Sequence, residues 1–129
     1  MERVVPVEVG VTWEPNAPAA TLWSSERGEA RLTLAAHPDD DDQRDVVITF
    51  ERCRAASRLP FDDEVLHEHP LYACGLRHVL WAGEVFDSTW LPTRRGSSRH
   101  FVFPLKECVV EVLADGFLVS RSTEPSDRP

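Results

Sequence analysis

The chain opens on a strict alternation: Val5, Val7, Val9, Val11 and Trp13 share one parity, with Pro6, Glu8, Gly10 and Thr12 on the other. A period of two sends successive side chains to opposite faces, so this stretch predicts a strand with one buried face. Pro6 has no backbone donor, which predicts an edge position or a strand end there. The segment Pro15-Asn16-Ala17-Pro18 breaks the pattern. Two short strands are predicted next, at 20–24 and 30–35, joined by Ser25-Glu26-Arg27-Gly28-Glu29, whose glycine is a hairpin signal. Val46, Ile48 and Phe50 then alternate with Val47, Thr49 and Glu51. The acidic run before them therefore reads as the loop of a second hairpin.

From 53 to 71 the pattern loosens. Asp62 or Asp63 suits the N-cap of a short helix through 64–68, with Glu64 in its first turn and Pro70 to end it. Strand patterns return at 78–86, 99–103 and 106–113. In Ala114-Asp115-Gly116-Phe117, the Asp-Gly pair is the strongest hairpin signal of the chain, because a type I′ turn needs two residues at positive φ. A last strand is predicted at 117–120. The expectation is a mainly β domain over 1–120, an antiparallel sandwich or open barrel of roughly seven or eight short strands with one short helix. The polar tail 121–129, with two prolines, is expected to be disordered.

A length of 129 residues suits one domain with its own core. The net charge of −8, from 22 acidic and 14 basic residues, repels a phosphate backbone, so no nucleic-acid partner is expected. The one basic cluster, Arg94, Arg95, Arg99 and His100, reads as a solvated loop. No apolar run approaches the roughly 20 residues that cross a bilayer. No signal-peptide core follows Met1-Glu2-Arg3, so a cytoplasmic protein without a membrane partner is expected. Cys53, Cys74 and Cys108 are odd in number and without Cys-x-x-Cys spacing, as expected of free thiols.

The block Ala36-His37-Pro38-Asp39-Asp40-Asp41-Asp42 resembles the His-Pro-Asp-Asp signature of zinc-dependent N-acetylglucosaminyl deacetylases. That signature belongs between a parallel strand and a helix reached through glycines. Here Gln43-Arg44-Asp45 leads directly into Val46-Val47-Ile48, and the chain lacks room for several βα units. Calcium is opposed too, since adjacent acids point apart and no alternating Asp-x-Asp-x-Asp-Gly pattern is present. His67, His69, Cys74 and His78 are zinc-type donors at a spacing that matches no tetrahedral arrangement. No Gly-x-Ser-x-Gly elbow occurs. No metal or cofactor is therefore expected. Among the four tryptophans, Trp13, Trp23, Trp81 and Trp90, the last follows Asp87-Ser88-Thr89 and is the candidate to line a groove, whereas Trp81 reads as core.

The blocks His69-Pro70-Leu71-Tyr72-Ala73-Cys74-Gly75-Leu76 and Glu84-Val85-Phe86-Asp87-Ser88-Thr89-Trp90-Leu91 are joined by Arg99-His100-Phe101-Val102-Phe103 and Glu111-Val112-Leu113-Ala114-Asp115-Gly116-Phe117. Together they resemble a group of small bacterial proteins of unknown function that carry His-Pro-Leu-Tyr, Asp-Ser-x-Trp and His-Phe blocks. The resemblance implies a bacterial, cytoplasmic, single-domain protein and no activity. It directs attention to His69, Tyr72, Asp87, Trp90 and His100; strand ends can bring Asp87 and His100 together, with Tyr72 as a third member of a polar cluster.

No catalytic constellation stands out. The expected function is a small acidic, non-catalytic protein-binding module of the immunity or antitoxin kind, with Asp39, Asp40, Asp41 and Asp42 steering a basic protein partner. The alternative is a metal-binding protein or a metal-dependent hydrolase.

Overall fold

A computed structural model describes residues 1–16, 20–90 and 98–125. Ala17, Pro18, Arg94, Arg95 and the last four residues lie outside them. Nine strands form two antiparallel sheets facing one another as a sandwich. They are β1 (Arg3–Pro6), β2 (Ala20–Ser24), β3 (Ala30–Leu34), β4 (Arg44–Glu51), β5 (Ala55–Leu59), β6 (Gly83–Phe86), β7 (Arg99–Pro104), β8 (Val109–Ala114) and β9 (Gly116–Pro125). One sheet has the order β1-β6-β7-β8-β5 and the other β2-β3-β4-β9.

Alternation decides the faces. In β4, Val46, Ile48 and Phe50 are buried while Val47 and Thr49 between them stay half-exposed. Leu32 and Leu34 on β3, Phe101 and Phe103 on β7, and Val110 and Val112 on β8 complete the core between the sheets. Phe50, Phe101 and Phe103 all meet Phe117 edge-on, at centroid distances of 6.4, 5.1 and 6.4 Å. This geometry sets the positive ring edge against the negative ring face.

All six residues of β8 are buried, which one sandwich core cannot explain. The opposite parity, with Val109, faces a second cluster of Val4, Leu71, Leu76, Val79, Val85 and Val102. Residues 61–79 lie across the outside of the five-stranded sheet and make a third layer. The predicted helix is replaced there by three single-turn 3-10 helices, Leu66–Glu68, Tyr72–Cys74 and Leu76–His78. Two sequence features prevent a longer helix. Pro70 holds His69 extended, at φ −68° and ψ 136°. Gly75 turns the chain at φ 124°.

Other expectations are corrected. After Pro6 the N-terminal stretch leaves the ladder; Val9 and Val11 still pack on the core, and Trp13 makes an isolated bridge to Ala36. The acidic loop does join a hairpin, since β3 pairs with β4. Asp115-Gly116 does not: β8 pairs with β5 and β7, while β9 pairs with β4 in the other sheet. Neither residue adopts positive φ. The pair is instead a corner where the chain changes sheets, tied by the Asp115 N–H to the Glu51 carbonyl at 2.7 Å and by Arg54 to the Asp115 carboxylate at 2.8 Å. β9 continues through Pro125, beyond the start of the expected tail at Arg121. Among the described residues no helix is long and apolar enough to cross a membrane.

The third layer approaches β1 so closely that a Cβ on Gly75 would overlap the Val4 backbone oxygen. Gly75→Ala should therefore cost about 3 kcal/mol in urea unfolding, from overlap and positive φ together. Gly10→Ala should cost only about 1 kcal/mol, because φ there is 84° but a Cβ meets nothing within 4 Å.

Candidate functional site

Two features stand out: a buried polar relay beneath the third layer, and an exposed apolar face beside the sandwich. The relay begins on β8. Register pairs Glu111 with Val102 and Leu113 with His100, which sets Glu111 and His100 diagonally on one outward face. Glu111 Oε1 lies 2.8 Å from His100 Nε2, and Oε2 lies 2.9 Å from His69 Nε2 in the third layer. His100 Nδ1 is 2.6 Å from the Ser88 hydroxyl.

Proton positions follow from the outer partners. His69 Nδ1 accepts the Leu71 N–H at 2.9 Å, so its proton sits on Nε2 and is donated to Glu111. The Glu111 carboxylate needs a donor from His100 Nε2; in the neutral ring Nδ1 then accepts the Ser88 hydroxyl proton, and the Ser88 oxygen accepts the Trp90 N–H at 3.0 Å. Burial pushes the Glu111 carboxyl up, but the hydrogen bonds from His100 and His69 outweigh it and hold it at about 2. The Trp90 ring stacks on His100 at 4.6 Å and 15°, and Phe61 meets His69 edge-on at 4.9 Å.

Ser-His-Glu is the order of an activated nucleophile. However, neither of the two principal clefts is lined by Ser88, His100 or Glu111. The arrangement instead joins β7, β8, the turn at 87–90 and the third layer into one latch. His69 and His100 meet the carboxylate through N–H groups, so these nitrogens present no lone pair to a metal ion.

The other sequence candidates fall elsewhere. Tyr72 is half-buried and Asp87 is exposed at φ 57°, while His100 bonds Ser88 and Glu111 rather than either. His67 and His78 are exposed, and Cys74 packs against the second apolar cluster, apart from the buried His69. No three or more His, Cys, Asp or Glu side chains among the described residues are placed to hold a metal ion. Arg99 pairs with Glu84 at 2.7 Å and lies over the Phe101 ring, which removes it from any basic patch. Burial raises the Cys53 and Cys108 thiols, so both disfavour the reactive thiolate.

In the acidic loop, two of the four aspartates turn inward. Asp40 pairs with Arg121 and also accepts the Asp42 N–H at 2.9 Å. Asp42 takes Arg44 through both carboxylate oxygens, at 3.0 and 2.8 Å, and is held well below the usual carboxylate range by it. Asp39 and Asp41 remain exposed.

The apolar face centres on Leu80, which is 81% exposed, and on half-buried Trp81. Both residues line two clefts of about 360 and 820 Å³. The smaller is floored by Trp13, Leu34 and Leu105 and rimmed by Glu14, Asp63 and Glu107. The larger runs along 6–12, with Glu8 and Asp40 beside it. Three lysine or arginine side chains line them: Arg58, which bonds the Cys108 sulfur, Lys106, paired with Asp63, and Arg121, paired with Asp40.

Comparison with protein-family models, curated proteins and solved structures yields no match.

Ser88, Glu111 and Leu80 escaped the sequence reading. Glu111 did leave a signal, as a lone acid in Val109-Val110-Glu111-Val112-Leu113, where it shares the parity of two apolar residues.

Glu111→Gln should lower stability by about 3 kcal/mol, since it removes a carboxylate that accepts two buried hydrogen bonds and sets an amide NH2 against one of the two imidazole N–H groups. The Glu111 carboxyl is lowered from 4.5 to about 2 on folding, so its stabilisation is full above pH 4.5 and is lost as pH falls toward 2. Denaturant unfolding across that window should therefore fall more steeply for the parent than for Glu111→Gln. Ser57→Ala, which removes a buried hydroxyl without a hydrogen-bond partner, should instead be neutral or stabilising by about 1 kcal/mol.

Proposed function

We propose that this protein is a non-catalytic protein-binding module whose contact face is Leu80, Trp81 and the two clefts that they line. The observation that carries this reading is the 81% exposure of Leu80 beside a half-buried tryptophan. An apolar centre with an aromatic anchor and a polar rim is the usual anatomy of a recognition patch. Glu8, Glu14 and Glu107 around it suit a partner that is basic at its edges and apolar at its middle. Within the loop once expected to lead, the charge offered outward belongs to Asp39 and Asp41, because Asp40 and Asp42 are occupied by arginines. Steering then comes from the rim and the net charge of −8, with the apolar patch setting the lifetime of the complex.

Affinity capture from the source cell's lysate, with the parent chain and Leu80→Asp as paired baits, tests the reading. The parent should retain a basic partner that Leu80→Asp loses, with retention reduced at high salt and the fold unchanged by circular dichroism. Identical partners on both baits would overturn it.

A further inference from the structure

We propose that the smaller cleft, at the end of the sandwich, binds a small apolar molecule ending in a single carboxylate, and that Arg58 takes the carboxylate. The cleft lies between Leu34 of β3 and the turn 105–108 that joins β7 to β8, and has a volume of about 360 Å³. A space of that size holds a small organic ligand when its walls are mostly apolar and a few polar groups orient the guest. Trp13, Leu34, Leu66, Trp81 and Leu105 make such walls. Trp13 and Trp81 meet edge-on at 5.3 Å, so the aromatic part is already in place.

Arg58 supplies the polar end. Register sets Ala56 opposite Val112 and Arg58 opposite Val110, so Arg58 rises from the core-facing side of β5, at the mouth where it is exposed. Its guanidinium bonds the Cys108 sulfur, which also lines the cleft. Among the described residues Arg44, Arg54, Arg99, Lys106 and Arg121 each take a carboxylate, whereas Arg58 takes none. A thiol is a weak acceptor, so the planar fork keeps donors for a carboxylate, whose two oxygens match it. The acids at the rim hold the ligand to one negative charge: Asp63 is matched by Lys106 and Glu14 accepts the Asn16 N–H, while Glu107 is exposed in the turn. An inward charge also guards an edge strand, and β5 is an edge. Guarding an edge, however, carries no preference among ligands.

That preference is the test. The purified chain is titrated with octanoate, octanamide and octylamine below their micelle concentrations, and tryptophan fluorescence reports from Trp13 and Trp81 in the cleft wall. No partner protein takes part, so the outcome stands apart from the protein-binding reading. Octanoate should saturate and bind about tenfold more tightly than octanamide, with octylamine weakest. Arg58→Gln should bring the affinity ratio of acid to amide close to one at an unchanged melting temperature, and Arg58→Lys should restore part of it. No saturable change in the parent chain would overturn the proposal. So would equal binding of acid and amide, tightest binding of the amine, or a ratio that survives Arg58→Gln.

Discussion

An ionised carboxylate held between two imidazoles, inside a layer that is otherwise apolar, fixes how this molecule is assembled. Glu111 belongs to the sheet, His69 to the layer laid over it, and His100 connects both to Ser88 and the turn that carries Trp90. Apolar contacts alone would let residues 61–79 slide over the smooth surface of Val85, Val102 and Val109, because such packing is non-directional. The hydrogen bonds admit one position. An error in that position leaves a buried charge without donors, which costs more than any apolar mismatch nearby. The same placement delivers Val79, Leu80 and Trp81 to the mouth of the sandwich.

Charge elsewhere is largely spent on the molecule itself. Arg121 binds Asp40 and the carbonyls of Asp42 and Arg44, so β9 fastens the acidic loop at its base. Arg44, Arg54, Arg99 and Lys106 are likewise each paired with a carboxylate. Exposed pairs of this kind contribute little stability one by one. Their effect is to neutralise local cations, leaving an acidic surface interrupted by the apolar patch at Leu80.

The strands with clean alternation were legible in the sequence: β3 and β4 fall close to where period two places them. Three things were not. Val9 and Val11 alternate correctly and pack half-buried on the core, yet no strand among the described residues partners them, because the pattern records burial and says nothing of ladder bonds. Asp115-Gly116 has the composition of a hairpin turn, but its flanking strands belong to different sheets, and that choice is made by long-range pairing of β9 with β4. Trp81 does pack on the core as the sequence suggests, edge-on to Trp13 at 5.3 Å, but Leu80 in the same apolar run is exposed, since hydrophobicity cannot distinguish a buried residue from one left at the surface. As for the candidate sites, His69, His100 and Trp90 were picked out, but Ser88 and Glu111, which link them, were not. Ser88 lies near His100 in sequence without any motif, and His69 meets Glu111 only through the folding of the third layer.

The position of β9 also bears on how the chain folds during synthesis. β2, β3 and β4 are consecutive and can pair as soon as they leave the ribosome, but the face carrying Val46, Ile48 and Phe50 has no cover until β7, β8 and β9 follow. Elongation at roughly 5–20 residues per second leaves that apolar face bare for several seconds. β1 waits as long for β6. Neither sheet can be completed from its own early strands, so a nascent chain of this topology is a natural client for chaperones, and translational pausing between β4 and β7 would lengthen its exposure to aggregation.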